Sequence, residues 1–116
     1  MYNIEIINCL SDNYSYICFN DNEAFVVDPS EYTPVKNFLL EKNLDLKFIL
    51  NTHHHHDHIG GNEELKQDYD CKIIAPKKDE KNIPDVDIFV EQDNILNILD
   101  TRCQVFEVPG HTLGHI

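Results

Sequence analysis

The sequence predicts a layered α/β domain. Apolar runs of strand length alternate with two helix-like segments, and turn signals rich in Asn, Asp, Pro and Gly close the runs. The densest group of metal-ligating side chains also follows directly on one of the apolar runs. Loops at strand ends carry the chemistry on scaffolds of this kind.

Taken in order, residues 2–7 are expected to form a first strand, with Ile4, Ile6 and Ile7 apolar, and Ser11-Asp12-Asn13 to turn the chain. Residues 14–19 form a second strand, Asn20-Asp21-Asn22 a hairpin turn, and residues 24–27 a third strand ended by Asp28-Pro29-Ser30. A helix is expected over 33–42, with Val35, Phe38, Leu39 and Leu40 apolar, Thr33 as N-cap and Pro34 at the first helical position, where a missing N–H costs little. Residues 46–50 read as a buried strand. A second helix over 62–67 has Asn62 as its cap, with Glu63 and Glu64 in the first turn, where negative charge suits the helix dipole. Residues 71–75 are a short strand and residues 77–85 a charged loop, in which Lys77-Lys78-Asp79-Glu80-Lys81 is a solvated stretch. Residues 88–90, 95–99 and 104–108 alternate as further strands. With no repeat, low-complexity tract or linker, residues 1–116 are expected to belong to one domain.

Composition narrows the partners. The chain has 116 residues, 41% of them hydrophobic and 26% charged, enough for one soluble domain with a modest core. Nine basic against 21 acidic residues give a net charge of −12. Nucleic acid and anionic membrane would therefore meet like charge, whereas cationic metals would not. No apolar stretch approaches the roughly 20 residues that span a bilayer, and the first residues lack a secretion signal, so a cytoplasmic location is expected. Cys9, Cys18, Cys71 and Cys103 are scattered, without a Cys-x-x-Cys pair. They are expected to be small buried side chains and not disulfides or zinc ligands.

Five of the seven histidines lie in His53-His54-His55-His56-Asp57-His58. In extended backbone, His53 and His55 point to one side and offer two imidazoles to one cation. Asp57 and His58 offer a carboxylate and an imidazole to another, and this mixture suits zinc, iron or manganese. A further ligand must come from elsewhere, and His111, in the Gly110-His111-Thr112 turn, is the candidate. His54 and His56, at the intervening positions, are not expected to be ligands, and His115 is expected to have a supporting role. Asp28 is read either as a turn residue or as a group that orients a ligand. Gly60 and Gly61 allow the backbone to pass close to a packed site. A purification tag is a poor account of this run, because it follows a strand inside the chain.

The stretch Thr52 to Asn62, with its His-x-His-x-Asp-His core, resembles the signature of the metallo-β-lactamase superfamily. Leu10-Ser11-Asp12-Asn13-Tyr14-Ser15-Tyr16, Val27-Asp28-Pro29 and the final nine residues, Val108 to Ile116, resemble the glyoxalase II family within it, the hydroxyacylglutathione hydrolases. The resemblance spans nearly the whole chain. It implies an αββα sandwich, of which this chain is the incomplete N-terminal half. It implies two divalent cations, zinc first, with His53, His55 and His111 on one and Asp57 and His58 on the other. A bridging aspartate, a last histidine and a helical part that holds glutathione would lie beyond residue 116. The implied reaction is hydrolysis of S-lactoylglutathione to glutathione and D-lactate by a metal-bound hydroxide, with no side-chain nucleophile and a monomeric full-length enzyme. The alternatives are another enzyme on the same fold, such as a persulfide dioxygenase or a lactonase, or a metal-binding remnant without catalysis.

Overall fold

The computed structural model describes residues 3–10, 13–55, 59–108 and 114–116. Among the described residues, eight strands and two helices follow in the order β1 (Asn3–Cys9), β2 (Asn13–Phe19), β3 (Glu23–Val27), α1 (Tyr32–Glu41), β4 (Asp45–Leu50), α2 (Asn62–Tyr69), β5 (Lys72–Pro76), β6 (Ile88–Val90), β7 (Ile95–Ile98) and β8 (Thr101–Gln104). A short 3-10 turn, Lys77–Asp79, follows β5. Strands β1 to β6 form one sheet in sequence order, and β7 and β8 form a second. The first three strands pair antiparallel. From β3 onward the pairing is parallel, with α1 and α2 as crossovers between β3, β4 and β5.

Side-chain alternation explains the layers. In β3, Ala24 and Val26 face the helices while Phe25 faces the small sheet. Strand β4 breaks this alternation: Ala24 pairs with Leu46 but Phe25 pairs with Phe48, so Lys47 is the extra residue of a bulge. The bulge lets Leu46 and Ile49, three apart, share the helix-side core. Val35, Phe38 and Leu39 of α1 and Leu65 of α2 pack on that face with Ile17 and Ile73. On the opposite face, Ile98 and Val105 cover Phe25, Ile74 and Val90. That cover reaches Cys18 of β2 and stops short of the rest of β1 and β2. Ile4, Ile6, Tyr14 and Tyr16, in register as Ile6 opposite Tyr16, stay exposed, with Ile4 at 70%.

The predicted strands and helices are all present among the described residues except one, and several boundaries move; the turn expected at Ser11-Asp12 lies outside the described residues. The strand expected over 104–108 is instead β8, ending at Gln104. Leu99 and Asp100 both take positive φ (49° and 66°), so β7 turns back at once through a two-residue hairpin of I′ character. Helix α1 begins one residue before Thr33, and its cap is Glu31, whose side chain accepts a hydrogen bond from Leu10 N. Pro34 still lies in the first turn, where no backbone bond is lost. The cap of α2 is Gly61 and not Asn62. All four cysteines are free; Cys9 and Cys71 are buried, and Cys18 and Cys103 are half-buried. Burial pushes the Cys71 thiol up to about 11 and raises Cys18 and Cys103 as well. Among the described residues, no helix is long and apolar enough to cross a membrane.

Gly61 shows why one of the two predicted glycines is needed. A β-carbon there would lie 2.9 Å from the Pro29 carbonyl oxygen and 3.1 Å from the Glu31 carbonyl carbon, and Gly61 N donates to Pro29 O at 2.7 Å. Both obstacles are backbone and have no rotamer to escape into. Gly61→Ala is expected to destabilise the fold by about 1–3 kcal/mol, measured by urea unfolding; a change below about 0.5 kcal/mol, the scatter of neutral surface substitutions, would refute this account.

Candidate metal centre

Parallel strands β3, β4 and β5 end at the same edge of the sheet, so the loops after Val27, Leu50 and Pro76 lie side by side. Backbone bonds continue the ladder past the strands, from Asp28 N to Leu50 O (2.8 Å) and from Asn51 N to Ile74 O (2.9 Å). Asp28 adopts a left-handed conformation, φ 51°. The buried Ser15 hydroxyl donates to Asp28 O at 2.6 Å and accepts from Ser30 N at 3.2 Å, which holds this turn.

Asp28 is thereby aimed at the histidine loop. Its Oδ1 accepts from Thr52 N at 2.8 Å and its Oδ2 from Thr52 Oγ1 at 2.6 Å. Thr52 Oγ1 in turn lies 2.8 Å from His53 Nδ1. The hydroxyl has a single proton, and it is donated to Asp28 Oδ2, so His53 Nδ1–H donates to Thr52 Oγ1. That tautomer puts the His53 lone pair on Nε2, as a metal ligand requires. His53 is only 2% exposed.

His53 and His55 come together as the i, i+2 spacing predicts, with ring centroids 4.8 Å apart at 79°. His115 also stacks on His53, at 4.5 Å and 28°. The segment carrying His115 is fixed by Ile116 N donating to Thr52 O (2.9 Å) and Val108 N to His115 O (2.8 Å). The base of the loop is closed by a buried reciprocal amide pair: Asn62 Nδ2 donates to Asn51 Oδ1 (2.6 Å), and Asn51 Nδ2 to Asn62 Oδ1 (3.3 Å). This pairing uses the side chain that the sequence had offered as a helix cap.

Of the five predicted ligands, His53 and His55 are described; Asp57, His58 and His111 lie outside the described residues, as does His56. Among the described residues, no three His, Cys, Asp or Glu side chains gather around one point. Sequence reasoning missed Asp79. Its neighbours in sequence mark a solvated loop, yet it is 3% exposed and its Oδ1 lies 3.0 Å from His54 Nδ1. The signal that would have found it is topological: parallel pairing of β4 with β5 sets the loop after β5 against the loop after β4.

The chain belongs to the metallo-β-lactamase superfamily, whose family model matches residues 7–116. Within it, the chain is similar to curated hydroxyacylglutathione hydrolases: 50% identical to that of Pelagibacter ubique (strain HTCC1062) over 97% of this chain and 48% of the relative. It is 46% identical to that of Prochlorococcus marinus (strain NATL1A) over 99% of this chain and 46% of the relative, and 44% identical to that of Bdellovibrio bacteriovorus over 97% and 46%. The chain thus spans about half the length of the curated relatives it matches. Its fold resembles the BLEG-1 B3 metallo-β-lactamase, with a TM-score of 0.86, 23% identity and coverage of 99% of this chain and 65% of that one. It also resembles ETHE1 from Myxococcus xanthus, with a TM-score of 0.79, 20% identity and coverage of 99% and 51%.

Metal dependence follows from this membership, and the donor set fits a cation: a buried imidazole with Nδ1 already engaged, beside a second imidazole. Thr52→Val removes the hydroxyl that joins Asp28 to His53 while keeping its volume close. It is expected to weaken zinc binding about 10–100-fold, measured by competition with a chromophoric chelator. An unchanged affinity would show that His53 needs no such support.

Proposed function

We propose that this chain is the N-terminal part of a hydroxyacylglutathione hydrolase that cleaves S-lactoylglutathione to glutathione and D-lactate. The observation that carries the reading is the 50% identity to the Pelagibacter ubique hydroxyacylglutathione hydrolase along nearly the whole chain. The coverage of about half of each relative supports a longer protein. So does the uncovered apolar strip of Ile4, Ile6, Tyr14 and Tyr16 on the sheet face that β7 and β8 cover elsewhere. We assign the remainder of the sandwich to that strip.

His53, His55 and His111 would hold one cation and Asp57 and His58 a second; zinc is the proposed metal, with iron and manganese as the alternatives. Bound there, two cations supply an acidified water and polarise the thioester carbonyl. The chain's own residues prepare the site. Asp28 and Thr52 fix the His53 tautomer, the His115 ring restrains His53 from one side, and the Asn51–Asn62 pair closes the loop at its base. The cysteines are poor candidates for a nucleophile, since burial holds the Cys71 thiol protonated at neutral pH. Between the two sheets, beside Thr52, lies an apolar cavity of about 160 Å³ lined by Val27, Leu50, Ile74, Ile98, Val105 and Ile116. Small-molecule sites usually offer about 300–1,000 Å³, so glutathione recognition is assigned to the rest of the protein. The full-length enzyme is proposed to be a cytoplasmic monomer.

In the full-length protein, His55→Ala is expected to lose both bound metal and S-lactoylglutathione hydrolysis, followed by metal analysis and loss of thioester absorbance. Retained activity with normal metal content would remove His55 from the ligand set. Oxygen consumption with glutathione persulfide in place of thioester hydrolysis would point to the dioxygenase alternative. The 116 residues alone are expected to give negligible hydrolysis; turnover at the full-length rate would contradict the proposal that the site is completed elsewhere.

A further inference from the structure

Asp79 is a buried carboxylate in a turn where an aspartate would ordinarily face water. Its backbone carbonyl serves the turn, accepting from Asn82 N (2.9 Å) and Ile83 N (3.1 Å). Its side chain points elsewhere. Oδ1 meets His54 Nδ1 at 3.0 Å and has only a long 3.5 Å contact from Asn82 Nδ2 within its own segment. Oδ2 is buried, with no hydrogen-bond partner among the described residues. The carboxylate instead presses on the backbone of Gly114: a β-carbon at Gly114 would lie 2.9 Å from both Cγ and Oδ1 and 3.0 Å from Oδ2 of Asp79. A desolvated carboxylate is costly unless it is paired. Here it touches the histidine loop at a residue between His53 and His55, and also the segment that carries His115 and follows His111. A second tie runs beside it, from Lys78 Nζ to Glu107 Oε1 at 3.2 Å.

We propose that Asp79 is a positioning residue that clamps the histidine loop to the segment carrying His115. It holds His54, so that His53 and His55 on either side keep their spacing, and it seats Gly114, next to His115, whose ring stacks on His53. This inference rests on the metal-site reading above. His54 thus acts as the handle of the loop and not as a ligand, and Gly114 is required because the carboxylate occupies the space a side chain would need.

The test compares Asp79→Ala, Asp79→Asn and His54→Ala in the full-length protein. It uses zinc affinity by chelator competition and the visible d–d absorption of the cobalt(II)-loaded protein, with circular dichroism to verify folding. Asp79→Ala and His54→Ala are each expected to weaken zinc binding about 10-fold and to alter the cobalt spectrum. The double variant is expected to lose no more than either single one. Asp79→Asn, which keeps an oxygen for His54 and nearly the same volume, is expected to stay within about twofold of the parent with the parent's spectrum. If Asp79→Ala fails to fold, His54→Ala and Asp79→Asn still decide. Parental affinity and spectrum in His54→Ala overturn the clamp alone, as do losses that add in the double variant. A parent protein that binds neither zinc nor cobalt overturns the metal-site reading itself, and the clamp with it.

Discussion

Parallel pairing of β3, β4 and β5 forces the loops that follow them onto one edge of the sheet, and the candidate metal centre depends on that alignment. Asp28, the histidine loop and Asp79 each come from a different one of those loops. None is near another in sequence: 24 positions separate Asp28 from Thr52, and 25 separate His54 from Asp79. Crossover helices α1 and α2 make the parallel arrangement possible. The bulge at Lys47 lets β4 bury side chains on both faces while staying in register at its C-terminal end, where the loop begins.

The buried polar side chains gather at this edge. Ser15, Asp28, Ser30, Asn51, His53, Asn62 and Asp79 are the buried polar or charged residues among those described. Each such group costs free energy unless its hydrogen bonds are made in the folded state. The pairs observed link loop to loop: Ser15 with Asp28, Asp28 with Thr52, Thr52 with His53, Asn51 with Asn62, His54 with Asp79. Such a network restricts the arrangement of the loops, so it fixes imidazole directions that an exposed loop would leave to rotamer freedom. The left-handed Asp28 is part of the same device. A non-glycine residue in that region costs about 1–3 kcal/mol, and it persists because bonds on both sides over-determine it.

How much of this was legible beforehand varied with the range of the interaction. The histidine loop and its strand were visible because ligand types, spacing and an apolar run are local signals. Strands such as β6 were placed to the residue, since three alternating positions between polar turns leave little choice. The end of β8 was missed because Leu99, a residue that ordinarily avoids positive φ, occupies a hairpin turn and hides the turn signal. Asn62 was read as a cap because asparagine before a polar helix usually is one; a buried partner 11 positions earlier took its side chain instead. Asp79 was invisible for the strongest reason. Surrounded by lysines and glutamate, it has the local composition of solvent-exposed chain, and only its neighbours in space bury it.

The sequence by itself determined the layered α/β class, the family signature and the residues offered to a metal, because periodicity, composition and motif spacing are properties of short segments. Tertiary structure alone decided which of those residues have their orientation set, by Asp28 through Thr52 and by the stacked His115. It alone brought Asp79 into contact with His54 and Gly114. Those contacts depend on which strands lie side by side and in which register, which no single segment encodes.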